Sequence, residues 1–303
     1  MAKWGVLAVL ATAQFLMVLD QAVMNVAISQ LVEDFDTTVT TIQAVIALYA
    51  FDSSNILEWP PPGLTTHWFG EAFKDPTLGN AVVMSLKAGV AATAIALVLG
   101  TLASLAVARH RFFGRETISF LVVLPIALPG IVTGVALSDT FTQVLGIGLS
   151  LFTVIVGHAT FCIVVVYNNA VARLRRGSGS IEEASADLGA DPWQTFRFIT
   201  LPTMRTALVA GGLLAFALSF DEIIVTLFTI GPGQETLPIW IFNNLFRPNK
   251  LPVVDVVALL VIIASIVPVY LAHRLTRDEE GMSALRGGGG AISETAAEAT
   301  AAP

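Results

Sequence analysis

An all-α membrane bundle is the fold class that the sequence predicts, from three observations. Of 303 residues, 55% are hydrophobic and 13% charged, whereas ordinary soluble domains carry about 25% charged residues, and the mean hydropathy is +0.76. The apolar residues gather into runs of about 20, the length at which a helix rising about 1.5 Å per residue crosses a hydrocarbon core of roughly 30 Å. The runs lack the alternation of barrel strands, so helices, which satisfy their own backbone groups, are the expected spanning elements.

Six runs, at roughly 5–32, 78–107, 117–140, 149–172, 207–229 and 253–273, are long enough to cross. The first is interrupted by Asp20 and Asn25, and no A-x-A cleavage site follows it, so a retained span is expected. Thr37 to Phe51 makes about 22 Å of helix, short of the core, and is expected to lie along or dip into the outer face. The stretch "SSNILEWPPPGLTTHWFGEAFKDP" carries a Pro triplet and two tryptophans, which suit a stiff surface anchored at the interface. In the third run, Pro125 and Pro129 predict a kink.

The fourth run holds His158 and Cys162 at i, i+4. Two ligands alone are a weak metal signal, so both are read as packing residues, with His158, Tyr167 and Asn168 available for interhelical hydrogen bonds. Cys162 is the only cysteine, which excludes an internal disulfide and a cysteine-based metal cluster. In the fifth run, Asp221 and Glu222 lie deep, where an ionised carboxylate costs about 2.5–3.5 kcal/mol and needs an aqueous path or a partner. On a continuous helix Glu222 shares a face with Ser219, Thr226 and Thr229, whereas Asp221 faces Leu218, Ile224, Val225 and Phe228. Between the fifth and sixth runs, "GPGQETLPIWIFNNLFRPNKLP" suits a short helix near the outer surface. Asp139 and Asp255 fall near span ends and read as solvated.

Arginines follow alternate runs: Arg109, Arg111 and Arg115; Arg173, Arg175 and Arg176; Arg274 and Arg277. The positive-inside bias makes those ends cytoplasmic. With Lys3 inside as well, both termini are expected in the cytoplasm. The tail 278–303 is acidic, rich in Gly and Ala, and expected to be disordered. A net charge of −7 argues against nucleic acid as a partner.

On the cytoplasmic side falls a polar, helix-prone insert, residues 181–202, "IEEASADLGADPWQTFRFITLP". Glu182, Glu183 and Asp187 suit a helix start, Gly189 a stop, and Asp191-Pro192 a restart with Asp as cap and Pro at the first position. Two short helices at an angle, forming a rigid knob, are expected. The spacing of Glu183, Ala184 and Ser185, then Gly189, then Ile199, Leu201 and Pro202 resembles the EAA loop of ATP-binding-cassette import permeases. "WPPPGLT", "FLVVLPIALPGIVTGVAL", "GHATFCIVVVYN", "SFDEIIVTLF" and "TLPIWIFNNLF" are similar to the permeases of spermidine/putrescine importers, over about 48–277.

That resemblance implies the type I importer permease fold at 52–277, within the bacterial inner membrane. It implies a second permease, an ATPase gripping the loop, and a periplasmic polyamine-binding protein as partners. No catalytic residue, metal or cofactor of the chain's own is expected, since no G-x-x-x-x-G-K-[ST] phosphate loop occurs and ATP would be bound by the partner. Asp221, Glu222, Ser219 and Thr226 are the expected pathway residues, with Asp221 either joining the path or pairing across the permease dimer. Residues 1–50, including "FLMVLDQAVMNVAISQLVEDFDTTVTTIQAVIALYA", resemble instead the start of a major facilitator superfamily drug:proton antiporter. The alternatives are a permease for another small solute, or a fragment of a proton-driven exporter.

Overall fold

The computed structural model describes residues 39–55, 59–110, 112–177 and 179–264. The chain divides into two compact units after Leu259. Of the second unit, the described residues 260–264 continue the last helix. The run 5–32, the tail 278–303 and the end of the sixth run fall outside the described residues.

After α1 (Val39–Tyr49), the chain forms a small cap in which Asp52 bridges Leu64 and Trp68 donates its indole N–H to the Asp52 carbonyl at 2.7 Å. Helix α2 (His67–Lys74) leads into α3 (Pro76–Arg109), about 50 Å long. Pro76 takes the first helical position, where its missing N–H costs nothing, and Asp75 caps the start by accepting from the Thr77 N–H at 2.9 Å. Then follow α4 (Arg115–Ala127), α5 (Gly130–Asp139) and α6 (Leu151–Arg176). A capping box of Ser150 and Thr153 starts α6.

Helices α3 and α6 pack along much of their length, and α9 (Leu201–Phe220) packs on both. Close approach is possible because α3 turns a row of small residues inward: Ala88, Ala92, Ala96, Gly100 and Ser104 recur every fourth position and are buried. A Cβ at Gly100 would sit 3.0 Å from the Ile163 carbonyl oxygen and from Val166. The core between these helices includes Cys162, Val166, Phe161 and Ala215, joined by Val225 from beyond the end of α9.

Among the described residues, three helices are long and apolar enough to cross a membrane: α3, α6 and the continuous stretch Pro192–Phe220. Fewer unbroken spans are thus described than the six expected, and two differences have physical causes. The run 117–140 is not one kinked helix. Its halves α4 and α5, with the π turn Thr140–Val144 extending α5, meet at 104°, because Leu128 is extended ahead of Pro129 and the helix restarts only at Gly130. The run 207–229 breaks at Asp221–Ile223, and a separate short helix, α10 (Ile224–Thr229), follows. That helix packs on α5 and α6. Its Phe228 lies so close to Gly134 that a Cβ there would meet the ring at 2.7 Å.

Helix α11 (Leu237–Leu245) lies against α3. The Leu237 N–H donates to Ser85 at 2.8 Å, and the buried Trp240 donates its indole N–H to Thr77 at 3.0 Å. Helix α12 (Leu251–Ala264) is the last one described. Just before it, Lys250 places its ammonium 2.8 Å from Asp75.

Asp75, outside the span, titrates low. Burial, the largest influence, raises its pKa, but bonds from Lys250, from the Thr77 hydroxyl and from the Thr77 and Leu78 N–H groups together outweigh it, holding the carboxyl at about 2 against an ordinary 3.8. A carboxyl depressed on folding stabilises the native state above its unfolded pKa and loses that contribution as pH falls through the native one. The purified chain is therefore expected to melt at a lower temperature as pH drops from about 4 towards 2. Asp75→Asn should show less of this acid sensitivity, and an equal pH response in both proteins would refute the assignment.

Candidate functional site

Two polar regions interrupt the apolar bundle. The first is the insert. Helix α7 (Ser180–Asp187) holds Glu182 and Glu183 in its first turn, where the helix dipole favours acids. It ends at Gly189, whose φ of +84° lies in the left-handed region. The Gly189 N–H donates to the Ala186 carbonyl at 2.9 Å and the Ala190 N–H to the Ser185 carbonyl at 3.1 Å, the paired bonds of a Schellman stop. Asp191 then caps the next helix, accepting from the Gln194 N–H at 2.8 Å, while its own N–H donates to the Gln194 side chain at 3.0 Å.

That next helix is not a second short one, as the sequence suggested. Its first turn, α8 (Pro192–Thr195), passes through a π turn at Phe196–Thr200 directly into α9. The insert is therefore one short helix folded back on the root of a long one.

Of the residues expected to couple, Glu183, Ala184, Gly189 and Pro202 are exposed, Ile199 and Leu201 half-buried and Ser185 buried. Ser185 is turned inward, its hydroxyl 3.0 Å from that of Thr195. The outward surface is more apolar than the motif alone suggests, since Leu188 is 90% and Trp193 65% exposed, with Ile181 and Phe198 exposed beside them.

Sequence reasoning missed what anchors this element. Glu182, not Glu183, carries the structural contacts. Its carboxylate accepts from Arg109 Nη2 at 3.0 Å, lies 2.9 Å from Arg109 Nε, and accepts from the Thr200 hydroxyl at 2.9 Å. Arg109 is the last residue of α3 and Thr200 the last of the π turn. One carboxylate thus ties α7 to the ends of two long helices. The acid's place at a helix start was legible; its partner, 73 residues away, was not.

The second region is the break after α9. Glu222 and Asp221 do not lie on a continuous helix face, which corrects the expected stripe. Asp221 is exposed and Glu222 half-buried. Glu222 caps α10: its Oε1 accepts from the Val225 N–H at 2.9 Å, and its carbonyl accepts from the Thr226 hydroxyl at 2.8 Å. Ser219 and Thr226 do come together, across the break, on the buried ring of His158. Nδ1 is 2.7 Å from the Ser219 hydroxyl and Nε2 is 2.8 Å from that of Thr226. His158 was expected to pack and to bond between helices, and both hydroxyl partners come from beyond its own helix. Cys162 donates to the Ala215 carbonyl at 3.3 Å. Among the described residues no three His, Cys, Asp or Glu side chains are grouped to hold a metal ion.

The described residues thus hold an exposed apolar knob folded against the root of a long helix, and two carboxylates at a helix break within the bundle. Residues 96–278 match the family described as "Binding-protein-dependent transport system inner membrane component". The chain is 35% identical to the putrescine transport system permease protein PotI of Escherichia coli K12, over 72% of this chain and 79% of the relative. It is 33% identical to the spermidine/putrescine transport system permease protein PotC of Haemophilus influenzae, over 73% and 84%. In fold it is similar to a chain of the bacterial alginate ABC transporter in complex with its periplasmic protein, with a TM-score of 0.64 at 13% identity, covering 85% of this chain and 95% of that one. A chain of the MetNI methionine ABC transporter gives 0.55 at 17%, covering 71% and 98%.

Proposed function

Since this chain belongs to the binding-protein-dependent transport system inner membrane component family, we propose that it moves polyamines into the cytoplasm as one of two permease subunits driven by a separate ATPase. It is a multi-pass membrane permease subunit of an ATP-binding-cassette importer, with the permease core at 52–277. Putrescine or spermidine is its cargo, a reading supported by the two relatives' names and by ionisable carboxylates at the one described break within the fifth run.

The observation that carries the mechanism is the Glu182 junction. ATP binding closes the partner ATPase against the apolar knob of Leu188 and Trp193, and Glu183 meets a basic group there. Because Glu182 joins α7 to Arg109 and Thr200, a displacement of the knob is passed to the ends of α3 and α9 together, as rigid-body switching requires. The chain holds no nucleotide itself, and needs no cofactor. Both termini and residues 181–202 face the cytoplasm, and the Asp75–Lys250 end faces the periplasm, where a polyamine-binding protein delivers cargo. Asp221 and Glu222 line the path, backed by Ser219 and Thr226.

The test is ATP-dependent uptake of labelled spermidine and putrescine into proteoliposomes that hold this chain with its second permease, ATPase and receptor. ATP-dependent accumulation that needs all four components is the expected result. Accumulation of a different solute by the same complex would replace the cargo, and export driven by a proton gradient would overturn the importer reading.

A further inference from the structure

The ring of His158 is 1% exposed, and both of its nitrogens are engaged from beyond its own helix. Thr226 has one hydroxyl hydrogen, and gives it to the Glu222 carbonyl at 2.8 Å. Nε2 must therefore be the donor in its 2.8 Å contact with Thr226. The neutral ring then accepts from Ser219 at Nδ1, 2.7 Å away. The chain of bonds runs from the last turn of α9, through a side chain of α6, to the first turn of α10, and ends on the backbone of Glu222.

Those bonds bridge the break at Asp221–Ile223. Helix α9 ends at Phe220, and the Glu222 carboxylate accepts from the Val225 N–H in the first turn of α10. Gly157, next to His158, brings α6 close enough to α10 that a Cβ would lie 3.2 Å from Val225. Helix α6 is thus the wall against which both sides of the break are held.

We propose that His158 is a positioning residue for transport: it staples both sides of the broken helix to α6 and thereby fixes where the Glu222 carboxylate meets the cargo. The assignment rests on the permease reading above. Breaking either arm leaves the two helix pieces packed but lets the Glu222 turn move relative to α6.

The experiment uses the full reconstituted complex and reads labelled putrescine moved per ATP hydrolysed, with the apparent KM for uptake. Ser219→Ala, which loses one neutral hydrogen bond, should lower the ratio about fivefold, and Thr226→Val, which keeps the shape but loses the hydroxyl's bonds to both His158 and the Glu222 carbonyl, should lower it at least as much. Thr226→Ser should restore it. Cys162→Ala, one turn from His158 on the same helix, should leave the ratio unchanged. A purely structural role would change the amount of complex assembled but not cargo per ATP. Nitrogen NMR on the purified chain gives a second reading, independent of cargo: the His158 ring should show an Nε2–H tautomer that Thr226→Val perturbs. An unchanged ratio in Thr226→Val and Ser219→Ala, with wild-type uptake intact, would overturn the staple. No uptake by the wild-type complex would overturn the permease reading, and the assignment with it.

Discussion

Arg109→Ala is expected to leave receptor-stimulated ATP hydrolysis running while cargo moved per ATP falls about tenfold or more, because a charged hydrogen bond contributes about 1.5–3 kcal/mol. The guanidinium and the Glu182 carboxylate are each about three-quarters buried, at 26% and 22% side-chain exposure. Solvent therefore screens the pair less than it would an exposed surface ion pair, which is worth roughly 0–1 kcal/mol. Removing Arg109 detaches α7 from the end of α3 but leaves the Thr200 hydroxyl on Glu182, so the knob still docks and now transmits to α9 alone. Arg109→Lys, with a point charge in place of a planar fork, should recover part of the coupling. Wild-type cargo per ATP in an assembled Arg109→Ala complex would exclude this junction as the transmission point.

The second large effect is expected from Glu222→Gln. Glutamine keeps an acceptor for the Val225 N–H, now at 2.9 Å from Glu222, so the cap of α10 survives and only the ionisable group is lost. Two unit charges about 4 Å apart interact by roughly 4 kcal/mol at an effective dielectric of about 20. A cationic cargo should therefore show uptake lowered about tenfold or more, with a raised apparent KM. Asp221→Asn should cost less, since Asp221 is exposed and accepts no comparable capping bond among those described. Near-normal polyamine uptake by an intact Glu222→Gln complex would remove the carboxylate from the path.

Much of the insert was legible because its determinants are local. Gly189 stops a helix through its own backbone angle, and Asp191-Pro192 starts one through a side chain and a ring, so spacing alone announces both. The polyamine-permease resemblance was legible for the same reason, being carried by short motifs, and the family match agrees with it. What stayed hidden depends on residues far apart in the chain. Nothing near Glu182 points to Arg109 or Thr200, and nothing near His158 points to Ser219 and Thr226. The break at Asp221–Ile223 has no proline or glycine to mark it. Its only local sign was the acidic pair, which reads as readily as a polar stripe on a continuous helix. In the third run the prolines did mark a disturbance, but composition could not separate a modest kink from a bend of 104°.

That bend bears on how the chain is made. Helix α4 has 13 residues and α5 with its π turn has 15, about 20 and 22 Å of rise, so neither half alone reaches across a hydrocarbon core of roughly 30 Å. The backbone groups freed at Leu128–Pro129 need protein around them, because lipid offers no hydrogen bonds. The neighbours that enclose the halves are α6 for the first and α10 for the second, and α10 begins only at Ile224. The third run is therefore expected to lack part of its protein cover until roughly ninety further residues have been synthesised. Chains truncated before residue 224 are therefore expected to be degraded faster in the membrane than chains that include α10, a difference that pulse-labelling would read.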